Sequence, residues 1–370
     1  MRTFHAGFEP GHPPVRVSIG AGARHRIGDE MAALGLSRAL VLTTPGHAAM
    51  GEAVCADLGP LAAGRFSGAA MHTPVEVTQA ALAAAGNADC VVAIGGGSAI
   101  GLGKAVALRT GLLQIVLPTT YAGSEATPVL GQTEDGRKRT LRSPDVQPEV
   151  ILYDPALVAT LPVRLTVTSG FNAMAHALEA LYARDANPLS DQLALAGLRA
   201  FVGGLPRVVA DPGDLAAREE TLFGAWLCGT VLAQVGMALH HKLCHTLGGS
   251  FGLPHAETHT VMLPHTVAYN EEAAAPALAP ASALLGAPVG CGLFDLATSL
   301  GAPLSLRELG LDEAALDRAA DLAVADPYWN PRPVERGAIR ALLQDAWQGK
   351  RPPSPRPAAA AADRGHARSR

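Results

Sequence analysis

"DCVVAIGGGSAIGLGKAVAL", residues 89–108, sets the fold class. The apolar run Val91–Ile94 reads as a strand buried on both faces. Gly95-Gly96-Gly97-Ser98 interrupts it, and residues 99–110 then carry apolar side chains at helical spacing. Outward from this unit, "RVSIG" (16–20), "RALVLTT" (38–44) and "LQIVLPTT" (113–120) read as further strands, and residues 75–86 as a helix. Strand and helix in alternation predict an N-terminal α/β domain with a Rossmann-like parallel sheet, helices on both faces. "QTEDGRKRTLRSPDVQPEVILYDP" (132–155) reads as a hairpin excursion turning at Asp135-Gly136, before a last strand at 149–153.

Beyond "DPALVATLP" no convincing strand follows. Residues 166–183, 189–211, 215–249, 272–300 and 312–325 read as helices, the first with Thr and Ser cap candidates. The expected organisation is an α/β domain over 1–158, an all-helical domain over 159–350, and a disordered Pro/Ala/Arg-rich tail over 351–370. A chain of 370 residues is long enough for two domains.

Bulk properties exclude several functions. A net charge of −4 gives no electrostatic case for nucleic acid. Five cysteines without CxxC spacing imply reduced thiols in a cytoplasmic protein. "MRTFHAGFEPGHPP" lacks a secretory signature, and no long uninterrupted apolar run predicts a membrane span.

The glycine loop is a tight turn or a phosphate cradle, since helix N-terminal amides and the positive dipole end favour phosphate oxygens. "LPTTYAGSEAT" (117–127), after the next strand, favours the cradle, because ligands of such sheets bind at the carboxyl ends of strands. The loop is not G-x-G-x-x-G, and the 38–44 strand ends in Thr43-Thr44 where an acid would meet a ribose 2′-hydroxyl. Nothing there repels a 2′-phosphate, so strict NADH selectivity over NADPH is not expected.

"LHHKLCHTLGGSFGLPHAETHTVMLPH" (239–265) holds six of the thirteen histidines. Asn172 and His176 share a helix face, as do His241 and His245 on the 215–249 helix, and His255 follows in the loop "GLPH". One such histidine alone would read as interior packing; three brought together make a plausible metal site. His240 and His259 are secondary candidates, and His265 is expected to pack at a helix start.

"GGGSAIGLGKA", "PTTYAGSEAT", "FNAMAHALEA" and "HHKLCHTLGGSFGLPH" together resemble the iron-containing (group III) alcohol dehydrogenase family, and within it the maleylacetate reductase branch. The likeness runs from about residue 15 to 350 and includes "YWNPRPVERGAIRALL" (328–343). It implies the two-domain architecture shared with dehydroquinate synthase, and a homodimer. In metal-dependent members one Asp and three His hold iron or zinc. Those positions fall on Asn172, His176, His241 and His255, so the carboxylate is replaced by a neutral amide and no bound metal is expected. The resemblance assigns Gly95, Gly96, Gly97 and Ser98 to the pyrophosphate. It places Thr119, Thr120, Ser124 and Lys138 near the nicotinamide and its ribose, with Thr44 also on the cofactor edge. His245 falls on a proton-relay position.

The activity this implies is NADH- or NADPH-dependent reduction of the C=C bond of maleylacetate, a small dicarboxylate, to 3-oxoadipate in aromatic-compound breakdown. Without a metal, His241, His245, His255 and Lys242 would supply charge or N–H donors, with Lys242 suited to a substrate carboxylate and His241 or His245 to proton donation. Two alternatives stand beside it: a metal-dependent alcohol or polyol dehydrogenase, and a nucleotide-binding protein without catalysis.

Overall fold

A computed structural model describes residues 1–6, 14–134 and 137–354. The Asp135-Gly136 turn and residues 355–370 of the expected tail lie outside the described residues. The strands in chain order are β1 (Arg2–Ala6), β2 (Val15–Ile19), β3 (Ala39–Leu42), β4 (Ala62–Phe66), β5 (Cys90–Gly95), β6 (Leu113–Pro118), β7 (Val129–Glu134), β8 (Arg137–Arg142) and β9 (Val150–Tyr153). Seven of them form one sheet in the order β1-β2-β9-β6-β5-β3-β4, parallel except for the β1–β2 pair. β7 and β8 form a separate antiparallel ribbon, the excursion expected between the last two sheet strands.

Four helices join these strands: α1 (Ile27–Ala33), α2 (Ala48–Leu58), α3 (Val75–Ala85) and α4 (Gly97–Thr110). Every residue of β5 is buried, as a central strand between helical layers requires. β4, "AAGRF", was not legible. It lacks β-branched residues and is only partly buried at the sheet edge, so its pairing with β3 rather than its composition makes it a strand.

After β9 come α5 (Pro155–Val158), α6 (Val163–Leu181), α7 (Pro188–Ala210), α8 (Leu215–Gln234), α9 (Leu239–Phe251), α10 (His255–Asn270), α11 (Ala275–Leu285), α12 (Val289–Ser299), α13 (Leu316–Ala325) and α14 (Arg336–Gln348). Two of the long helices expected here are in fact pairs. The 272–300 segment breaks where Gly286 adopts φ 68° and Pro288 starts α12. The 215–249 segment breaks after Gln234, and α9 leaves α8 at 98°. Its break is held from outside: the Gly236 amide donates to Asp185 at 2.9 Å, and the Ala238 and His240 amides donate to Glu179 at 2.9 and 2.7 Å.

By length and composition, 188–210 and 275–299 are apolar enough to cross a membrane, although neither is an uninterrupted apolar run. In the fold, α7 packs on α6 and α8, and α12 on α10. α6 is the centre of the helical unit, buried almost continuously from Thr166 to Leu181. Apolar residues of the sheet, of α6–α8 and of α10–α12 form one continuous cluster, which fixes the helical unit against the sheet, while the apolar side of α9 packs in a second cluster with α13 and α14. The loop after β6 crosses between them. The Tyr121 amide donates to Ser169 Oγ on α6 at 3.4 Å, and Gly123 sits directly on Gly229 of α8, where a Cβ would lie 2.1 Å from the Gly123 carbonyl oxygen.

Candidate active site

The ends of β3, β5 and β6 lie side by side and carry the residues expected to hold a dinucleotide. Gly96 precedes the first turn of α4, and a Cβ on it would meet Thr120 Cγ2 at 2.9 Å. A Cβ on Gly97 would meet nothing within 4 Å, so the backbone at the start of α4 is uncrowded on that side. The Thr119 amide is tied to the Gly95 carbonyl at 3.0 Å. The hydroxyls of Thr43, Thr119 and Ser124 are buried without a hydrogen-bond partner among the described residues, an arrangement that a polar ligand along this edge would complete. Thr44 instead shares a hydrogen bond of 2.9 Å with His47 in its own turn. The Lys138 side chain lies outside what the structure describes; its backbone pairs with Thr133 in the β7–β8 ribbon.

Lys104, on α4, was not singled out from the sequence. It is fully buried, and its Nζ donates to the carbonyls of Ser124 (2.7 Å), Thr127 (2.6 Å) and Val129 (3.0 Å). Burial draws its pKa down to about 7, opposed by the Glu125 carboxyl. Lys104 thus pins the loop that carries Ser124 to the helix that carries the glycine cradle.

Six histidines meet in one chamber in the helical unit. α6 contributes Asn172 and His176, both buried, on the face that Ser169 turns to the β6 loop. α9 contributes His240, His241 and His245, and α10 contributes His255 and His259. His241 stacks on His176 at 5.1 Å between ring centroids and lies 5.1 Å from His259 and 6.0 Å from His245. His255 and His259 are 4.4 Å apart. His255 is the first residue of α10 rather than a loop residue. His265 lies deep within α10 and against Phe294, correcting its expected place at a helix start.

Hydrogen bonds fix several tautomers here. The Thr266 hydroxyl donates to the carbonyls of Met262 and Leu263, so it accepts from His240 Nδ1 at 3.0 Å. His240 Nε2 then accepts from His259 Nδ1 at 2.9 Å, which leaves His259 Nε2 a bare acceptor, buried and unpartnered. His240, expected among the catalytic groups, therefore has both ring nitrogens engaged and braces His259. Burial first, and neighbouring histidines second, hold His176, His240 and His259 well below the usual imidazole range, so all three are neutral at pH 7. His245 and His255 are exposed at the chamber's opening.

The donors at the family's metal positions are Asn172, His176, His241 and His255, an amide and three imidazoles with no carboxylate among them. Asn172 Oδ1, His176 Nδ1 and His241 Nε2 are buried without a partner. A divalent cation there would receive no ligand charge, and the buried carboxylate beside it, Glu179, already accepts from His241 Nδ1 at 2.6 Å and from two amides. The set fits iron poorly. His240, Cys244 and His259 also bring ligand atoms within 4.8 Å of one another. The two nitrogens are spent on each other, however, and burial holds the thiol protonated.

At the mouth, Lys242 Nζ sits 5.6 Å from the Tyr328 ring centroid, and the Tyr328 hydroxyl meets His245 Nδ1 at 3.2 Å. Tyr328 belongs to "YWNPRP", a strap held on α10 by the reciprocal Asn270–Asn330 amide pair (2.8 and 2.7 Å) and by Arg332 over the Tyr269 ring. The quoted motif was visible in the sequence; its place over His245 was not.

The iron-containing alcohol dehydrogenase model matches residues 14–155, and the C-terminal model of that family matches 166–347. A maleylacetate reductase from Rhizobium sp. (strain MTP-10005) is 61% identical over 341 residues, 92% of this chain and 97% of that protein. One from Burkholderia cepacia is 52% identical over 91% of this chain and 97% of its own length. The crystal structure of a maleylacetate reductase from Agrobacterium tumefaciens superposes with a TM-score of 0.90 at 58% identity, covering 95% of this chain and all of that one. The chain belongs to the iron-containing alcohol dehydrogenase family, and within it stands with the maleylacetate reductases.

Proposed function

We propose that the chain reduces the C=C bond of maleylacetate with NADH or NADPH, without a metal, giving 3-oxoadipate. The observation that carries this reading is the histidine cluster, with an amide at the carboxylate position, beside the sheet edge that carries the glycine turn and the unpartnered hydroxyls of Thr43, Thr119 and Ser124. The first turn of α4 would hold the cofactor's pyrophosphate, and Thr119, Thr120 and Ser124 would hold its nicotinamide end, on the loop whose Tyr121 amide is bonded to Ser169 of α6. The bound cofactor would supply a hydride to the alkene carbon β to the ketone, with the electron pair moving onto the ketone oxygen as an enolate. A proton then goes to the α carbon, so one hydride and one proton complete the reduction. Burial leaves His176, His240 and His259 neutral and poor acids. His241 is the proton donor, with exposed His245 between it and solvent.

Lys242, half-buried at the mouth, receives a substrate carboxylate. Lys242→Met is expected to raise the KM for maleylacetate about 10–100-fold, the value of one hydrogen bond to a charged group. The KM for NADH should not move; steady-state kinetics with each substrate varied separate the two.

Asn172→Asp restores the missing anionic ligand. Two unit charges 4 Å apart at an effective dielectric near 20 attract by about 4 kcal/mol, and desolvation takes back part of it. Zinc affinity by calorimetry should rise by on the order of 10²-fold, and maleylacetate turnover should fall. A substrate panel followed by NADH oxidation tests the activity itself. Turnover on maleylacetate and not on simple aldehydes is expected; turnover on aldehydes alone would assign a different reductase.

A further inference from the structure

We propose that Glu179 is the positioning residue that makes His241 exchange its proton through Nε2 alone. This rests on the assignment of reduction to the histidine chamber. Glu179 lies on α6 one turn after His176 and is fully buried. Its carboxylate receives three donors: the Ala238 amide at 2.9 Å, the His240 amide at 2.7 Å and His241 Nδ1 at 2.6 Å. Ala238 is the N-cap of α9 and has no side chain able to cap. A residue from another helix therefore caps α9 and orients its histidine with the same group.

The chemistry follows from what each atom can do. Flanked by two amides that can only donate, the carboxylate oxygens accept, so the hydrogen between them and the ring sits on His241 Nδ1. His241 Nε2 is buried without a partner and stacked beside His176. With Nδ1 committed, Nε2 is the one ring atom left to give or take a proton, whichever charge the ring carries.

Glu179→Gln tests this. The amide has one acceptor where the carboxylate had two and carries no charge, so its N–H must face either the Ala238 and His241 donors or the His240 amide, and the hold on His241 Nδ1 as a donor is weakened or lost. The expected result is a kcat lower by roughly 10²–10⁴-fold with the KM for NADH unchanged. In a His241→Ala background the same substitution should cost no further kcat. An equal fractional loss in both backgrounds, or no loss in either, would reduce Glu179 to a helix cap and overturn the proposal. Should Glu179→Gln fail to fold, imidazole ¹⁵N spectra of the unsubstituted protein decide. A hydrogen on Nδ1 of His241, assigned by its disappearance in His241→Ala, supports the proposal, and one on Nε2 overturns it. That spectrum needs no substrate, so it is independent of whether maleylacetate is reduced.

Discussion

His241→Ala is expected to lower kcat for maleylacetate reduction by roughly 10²–10⁴-fold, the usual worth of a positioned general acid. The Kd for NADH should stay unchanged. The split follows from place: His241 lies at the centre of the chamber, between His176, His259 and His245, whereas the cofactor's proposed contacts lie on α4 and on the β3 and β6 loops. None of its buried neighbours can substitute, because His176 and His259 are held neutral by burial and His240 is committed at both nitrogens. Stopped-flow NADH binding and steady-state turnover on the same preparation separate the two effects. Equal losses in both would place His241 in the cofactor site instead.

Lys104→Met is expected to be the most damaging single change to stability. It removes the ammonium shared by the carbonyls of Ser124, Thr127 and Val129; the Ser124 carbonyl keeps the Thr127 hydroxyl and amide, while those of Thr127 and Val129 lose this donor. Each orphaned acceptor costs roughly 1–3 kcal/mol, and relief from burying the ammonium offsets part of it, leaving a net loss on the order of 3 kcal/mol. Thermal or urea unfolding measures this directly. Because the freed loop carries Ser124 and continues from Thr119 and Thr120, NADH binding should weaken as well, unlike in His241→Ala. A Tm within a degree of the parent would show that water satisfies these carbonyls without cost.

The strands that decide the fold were legible because β3, β5, β6 and β9 are covered on both faces and so read as short apolar runs. The same reasoning explains where it stopped. β4 gains its strand from pairing, and the α8–α9 break from Glu179, some sixty positions upstream, so neither is marked locally. The histidine chamber was anticipated through His176, His241, His245 and His255, whose spacings place pairs on helix faces. Hydrogen bonding then sorted them, giving His240 and His259 to a bracing chain that no spacing shows. Asn172 could be recognised as a departure only because the surrounding motif set a carboxylate in its place. Lys104 and Tyr328 were hidden for a different reason. Lys104 serves acceptors on backbone some twenty residues away, and Tyr328 serves a histidine 83 positions before it.

The central claim is that protonatable side chains, rather than a cation, take up the electrons that arrive with the hydride. The direct measurement is NADH-dependent reduction of maleylacetate by protein dialysed exhaustively against chelator, with metal content determined on the same sample. Unchanged kcat is expected at a metal content far below one ion per chain. Loss of turnover that ferrous ion or zinc restores in proportion to the metal bound would contradict it.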